Sequence, residues 1–176
     1  MVYGRMPQKY RLSSMITVAG TIDANIALQK PGGYDAIDRA WDNLTNDEKK
    51  FVVARPDIAA GFLVFAEQAV TDTISNFPGQ TDRADGTGGN AFQHALWNAM
   101  MAQWHPEYAE EYGFAHEAYA RDPNDARQTT LRNMDLNNNA VGRQINNRFA
   151  TRQELGVLVM HALQTGQLTV TCPGTC

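Results

Sequence analysis

The stretch that most restricts how this chain can fold runs Gly86-Thr-Gly-Gly-Asn-Ala-Phe-Gln-His-Ala-Leu-Trp-Asn-Ala-Met-Met-Ala102. A glycine-rich loop opens it, an apolar helix follows, and the rest of the chain is organised around that helix. His94, Trp97, Asn98 and Met101 fall at i, i+3, i+4 and i+7, so they share one face. An imidazole and a carboxamide on a face that also carries Trp and Met do not point into bulk water. A buried polar group left unpaired costs about 1–3 kcal/mol. Other segments must therefore bring partners to His94 and Asn98.

Helical patterns supply those segments. Met15, Val18, Ala19, Ile22 and Ile26 fit a helix face over Ser14–Leu28, which Pro31-Gly-Gly33 breaks. Tyr34, Ile37, Ala40, Trp41 and Leu44 mark a second helix. Thr45-Asn-Asp-Glu48 has capping-box spacing and opens a short third one through Val53. Pro56 suits a first helical position, and Ile58, Phe62, Phe65, Ala66, Ala69, Val70 and Ile74 draw the core face of a long fourth, stopping near Phe77-Pro78. Residues 79–90 read as the longest loop. The central helix then runs to Trp104, and a further helix is expected over Glu107–Ala120. Another is expected from about Met134 to Phe149. Thr151-Arg-Gln-Glu154 repeats the capping box before Leu155, Leu158, Val159 and Ala162, with Gly166 as the stop. Gln167–Thr171 reads as one short strand. The expected fold is all-α: a compact single-domain bundle of six to eight helices, with a lead-in over residues 1–13, the helical domain over 14–170 and a tail over 171–176.

Composition narrows the function classes. With 176 residues the chain fits one domain, and at 43% apolar it is an ordinary globular sequence. A net charge of −4 disfavours a nucleic-acid partner, which usually faces a basic surface. No apolar run reaches the roughly 18–20 residues of a transmembrane helix. The N-terminus lacks a signal-peptide pattern, so an export signal is expected outside this segment. Cys172 and Cys176 flank a Pro-Gly turn. They suit either a small terminal disulfide or two free thiols, and are too few for a structural zinc site.

Three segments carry unusual polar residues. The first holds His94 and Asn98, the second His116-Glu117. The third holds Asp135, Asn138, Asn139 and Arg143, of which Asp135, Asn139 and Arg143 are four apart and share a face. Three consecutive asparagines are poor helix formers, and such local conflicts tend to mark functional sites. His105 and His161 read as structural residues beside the core. Asp82, Asp85 and Gly86 match only part of a calcium loop, and Gly86-Thr-Gly-Gly before a helix suits an anion cradle without a P-loop lysine.

The run Asn-Ala-Phe-Gln-His-Ala-Leu-Trp-Asn, then Ala-His-Glu, then Met-Asp-Leu-Asn-Asn-Asn-Ala-Val-Gly-Arg resembles a bacterial domain family of unknown function. Its members recur at the C-termini of wall-associated and polymorphic-toxin proteins. The matching positions are His94, Trp97, His116, Glu117, Asp135, Asn138, Asn139, Gly142 and Arg143. The chain departs from the pattern at Gln93, where Arg is expected, and at Asn137, where His is expected. The resemblance implies a secreted or delivered module, placed in a target cell's periplasm as part of a larger protein and matched by a cognate immunity protein. It brings no established reaction.

Three chemistries fit these residues. One is a hydrolase of cell-envelope material, peptidoglycan or lipid. There Glu117 and Asp135 act as a carboxylate pair, His94 and Asn139 position the substrate beside them, and Trp97, Asn98, Asn138 and Arg143 contact it. The second is a metal-dependent hydrolase of phosphoester or nucleotide substrates, similar in residue order to the histidine–aspartate phosphohydrolases. His94, His116 and Asp135, joined by Glu117, would hold zinc or manganese. The third is a non-catalytic binding module of a wall-associated protein, in which the cluster is a buried network fixing helix packing.

Overall fold

The computed structural model describes residues 33–78, 85–119, 124–145 and 147–172. Among them are seven α-helices and no strand: α1 (Gly33–Ala40), α2 (Asn46–Ala54), α3 (Pro56–Asn76), α4 (Gly88–Trp104), α5 (Pro106–His116), α6 (Ala126–Gln144) and α7 (Arg152–Gln164). The all-α expectation holds. The helix expected over Ser14–Leu28 and the lead-in before it lie outside the described residues. None of the described helices is long and apolar enough to cross a membrane.

Both capping boxes form. Thr45 and Glu48 satisfy each other's backbone N–H at the start of α2, and Thr151 and Glu154 do the same for α7. Pro56 sits in the first turn of α3, and Gly166 follows α7 with φ of 73°, the left-handed conformation a helix stop favours. Several boundaries differ from the sequence pattern, each for a visible reason. A 3-10 turn over Trp41–Asn43 cuts the second expected helix short. α4 starts at Gly88 rather than after residue 90, because the Thr87 hydroxyl accepts from Asn90 N. α6 starts at Ala126, well before Met134, because the Asp125 carboxylate accepts from the N–H groups of Arg127 and Gln128; it ends at Gln144 instead of Phe149. α5 ends at His116, four residues early, where the chain turns Glu117 inward.

The strand expected over Gln167–Thr171 does not form. Its backbone groups are taken by other partners: Thr169 N donates to Asn138 Oδ1, and Thr171 N and Cys172 N both donate to Gly86 O. Gly86 has φ of 87°, and a Cβ there would meet Thr171 Oγ1 at 2.4 Å, so the glycine-rich loop serves as a seat for the tail. Cys172 is disulfide-bonded, and Cys176 lies outside the described residues, as does Asp82 of the partial calcium-loop pattern.

α4 is the axis of the bundle. Every residue from Gly89 to Ala102 except Gln93 is buried, and α3, α5, α6 and α7 all pack on it. Such all-round burial is what an all-round apolar helix requires. Phe51, Phe62, Tyr112 and Trp97 form an aromatic block on one side, with Phe51–Tyr112 ring centroids 4.9 Å apart. Two residues expected in the core stripes are instead exposed, Ile74 at the end of α3 and Leu158 on α7, because no described element covers those faces. His161 is exposed as well.

α4 and α6 meet backbone to backbone. A Cβ built on Gly142 would lie 2.1 Å from Ala95 O, backbone against backbone. Gly142→Ala should therefore destabilise the protein by about 1–3 kcal/mol despite alanine's better helix propensity. Urea unfolding measures this, and a neutral or stabilising result would refute the close approach.

Candidate functional site

The close approach at Gly142 brings α6 side chains under His94 and Asn98. Asn98 lies one turn after His94 and its Nδ2 donates to His94 O at 3.1 Å. The same Nδ2 donates to Asn139 Oδ1 at 2.7 Å, and Arg143 Nη1 donates to Asn98 Oδ1 at 3.0 Å. Asn139 Nδ2 in turn donates to Glu117 Oε1 at 3.3 Å, and His94 Nδ1 lies 3.2 Å from Asn139 Oδ1. Gly113 makes room for this chain, since a Cβ there would stand 3.0 Å from Asn98 Oδ1 and 3.4 Å from Arg143 Nη1.

His94 sits between two carboxylates. Its Nδ1 is 3.5 Å from Glu117 Oε1 and its Nε2 is 3.6 Å from Asp135 Oδ1. One ligand-type atom from each of His94, Glu117 and Asp135 falls within 4.8 Å of the others, and all three residues are buried. Burial brings the imidazole's pKa down from 6.5 to about 3; the charge on His116 acts the same way, and the hydrogen bond with Asn139 opposes it only in part. His94 is therefore neutral at physiological pH.

His116 belongs to a different pair. Its Nδ1–H donates to Glu48 Oε1 at 2.8 Å, so the metal set expected from sequence (His94, His116, Asp135) is regrouped around Glu117 in place of His116. The two imidazoles remain neighbours, with ring centroids 5.9 Å apart, and His116 stands edge-on to Trp97 at 4.8 Å. Burial pulls the pKa of His116 down, but the hydrogen bond and charge of Glu48, with Glu117 and Asp135 beyond, outweigh it and raise the value above 6.5. The side chain of His116 is 39% exposed and that of Glu48 only 3%. Glu48 escaped the sequence reading because its capping role looked complete. In the structure one carboxylate oxygen caps α2 by accepting from Thr45 N at 2.7 Å, while the other holds His116.

A cleft of about 230 Å³ opens on both imidazoles. Leu44, Leu63, Ala66, Ala69 and Trp97 give it a mostly apolar lining, to which Asn43, Glu48, Gln93, His94 and His116 add polar groups. Gln93, the one α4 residue in Gly89–Ala102 that is not buried, also lines this cleft.

The substrate contacts expected from sequence fare differently. Trp97 lines the cleft with its ring, but its indole N–H is committed to Phe62 O at 2.8 Å. Asn98 and Asn138 have no exposed surface and so no way to touch a substrate. Asn138 exchanges two hydrogen bonds with the backbone of Thr169 and anchors the tail. Arg143 is not among the residues lining this cleft and orients Asn98 instead, with its Nη2 3.6 Å from Glu110 Oε1. His105 pairs with Glu107 at 2.9 Å at the junction of α4 and α5.

Residues 49–167 match a protein family described as a domain of unknown function, DUF6973. The chain belongs to this family. No curated protein and no solved structure matches it.

The two imidazoles make opposite contributions to stability. His94 is depressed in the folded state, so its contribution is complete above pH 6.5 and falls as the unfolded chain takes up a proton below it. His116 is raised, so its contribution is complete below 6.5 and is lost as pH climbs through its folded value. In chelator-treated protein the summed contribution of the two histidines should thus be greatest near pH 6.5, each adding a slope of at most roughly 1.4 kcal/mol per pH unit. Urea unfolding across pH, with histidine NMR, checks it. Protonation of His94 with an ordinary midpoint would contradict the burial argument.

Proposed function

We propose that this domain is a hydrolase of acyl ester bonds in envelope lipids, delivered by a bacterium as part of a larger secreted protein. The observation that carries the proposal is the His116–Glu48 pair in the wall of a mostly apolar cleft. A buried carboxylate holding one nitrogen of a half-exposed imidazole leaves the other nitrogen to act as a general base, oriented and made more basic by its partner. Apolar walls of this size favour an acyl chain over a glycan strand, which needs polar groups along its length.

In the proposed reaction His116 Nε2 takes a proton from water while the water oxygen attacks the ester carbonyl carbon. The tetrahedral adduct then collapses, the bond to the leaving alkoxide breaks, and His116 returns the proton to that oxygen. The products are a fatty acid and an alcohol. Glu117, with 1% of its surface exposed, is too deep to protonate a bulky leaving group directly. Glu117 and Asp135 instead add their negative charge to that of Glu48 in keeping His116 basic. Burying so many ionisable groups in one region costs several kcal/mol, which folds tolerate mainly where the groups are used. A toxin of this kind acts in the periplasm, and its cognate immunity protein would occlude the cleft.

Glu48→Gln separates catalysis from folding, because glutamine also completes a capping box. It should keep the melting temperature within a few degrees yet lower hydrolysis of fluorogenic acyl esters by roughly 10²–10⁴-fold, with His116→Gln at least as severe. Expression of the wild type in the periplasm should kill a bacterial host, and either variant should spare it. Wild-type protein inert on acyl esters and toxic only from the cytoplasm would overturn the proposal in favour of a phosphoester substrate.

A further inference from the structure

We propose that His94, Glu117 and Asp135 form a binding site for a single divalent cation of the zinc or manganese kind. The inference does not depend on the ester reading. It follows from the directions of the hydrogen bonds around His94.

Arginine only donates. Arg143 Nη1, 3.0 Å from Asn98 Oδ1, therefore fixes which end of the Asn98 carboxamide is oxygen. Asn98 must then present its NH₂ to Asn139, 2.7 Å away, and Asn139 must present its oxygen in return. The NH₂ of Asn139 is left for Glu117, an acceptor when ionised, at 3.3 Å. His94 Nδ1 stands 3.2 Å from the same Asn139 oxygen, so it is the nitrogen that carries the hydrogen. One fixed donor thus propagates its polarity through two asparagines and selects the tautomer of the histidine.

A neutral imidazole has one N–H. With that hydrogen on Nδ1, the lone pair of Nε2 faces Asp135 Oδ1 across 3.6 Å. Two electron-pair donors held face to face, with one ligand-type atom from each of His94, Glu117 and Asp135 within 4.8 Å of the others, are drawn together by a cation among them. The separation is near the roughly 3.4 Å edge made by two ligands about 2.1 Å from a tetrahedral ion. An imidazole whose outer N–H is held by an amide oxygen is also the usual state of a metal-ligating histidine. One nitrogen and two carboxylates suit zinc or manganese better than calcium, which takes oxygen ligands throughout. Three protein ligands leave a coordination position open.

The test is titration of chelator-stripped chain with Zn²⁺ and, separately, Mn²⁺ in a calorimeter, without substrate. One ion per chain should bind and raise the melting temperature, and the ¹⁵N resonance of His94 Nε2 should shift on binding. His94→Gln and Asp135→Asn should lose the ion, and Asn139→Ala should weaken it about 10–100-fold. His116→Gln should bind as the wild type does. If a variant fails to fold, the wild-type calorimetry and NMR still decide. Absence of binding by folded wild-type chain overturns the proposal. So does an Nε2 that is protonated in the stripped protein and indifferent to added ion, which would make His94 an imidazolium bridging the two carboxylates. Because the readout is ion binding alone, its failure is distinct from a failure of the ester assay.

Discussion

Everything in this molecule depends on a helix that is buried on nearly every side. α4 is enclosed by α3, α5, α6 and α7, yet it carries His94 and Asn98 into that enclosure. Asn98 is fully buried and His94 meets only the edge of the cleft, so the neighbouring helices must supply most of the bonds that water would have made. α6 meets this demand with Asn139 and Arg143, and the turn after α5 with Glu117. The awkward asparagines of α6 thereby gain a reason: local helix propensity is given up for partners α4 cannot do without.

Two glycines make those bonds geometrically possible. Gly142 lets the α6 backbone touch that of α4 at Ala95, and Gly113 leaves the space through which Arg143 reaches Asn98. A side chain at either place would force the helices or the network side chains to shift, lengthening and weakening these bonds. The network is also directional. Because a guanidinium can only donate, the orientation of two carboxamides and the tautomer of one imidazole follow from the presence of Arg143.

The two histidines illustrate how little a residue type says by itself. His94, enclosed and neutral, is held by an amide and faces carboxylates. His116, one cleft wall away, is half-exposed and paired with a glutamate that also caps a helix. Neighbours about 6 Å apart thus hold their protons under opposite influences, one dominated by desolvation and the other by a charge partner.

Periodicity, capping boxes and proline and glycine punctuation determined the all-α class, the centrality of α4 and most helix starts, because these depend on residues within a turn or two of one another. The sequence also marked His94, Glu117, Asp135 and Asn139 as out of place, through polarity on an apolar face and asparagines in mid-helix. Tertiary structure alone decided how they pair. The regrouping of His116 with Glu48, 68 residues away, has no local signal, nor does the diversion of Asn138 to Thr169 and of Gln167–Thr171 from a strand to a loop seated on Gly86. Those outcomes turn on hydrogen-bond distances across helix interfaces, which are fixed only once the helices have packed.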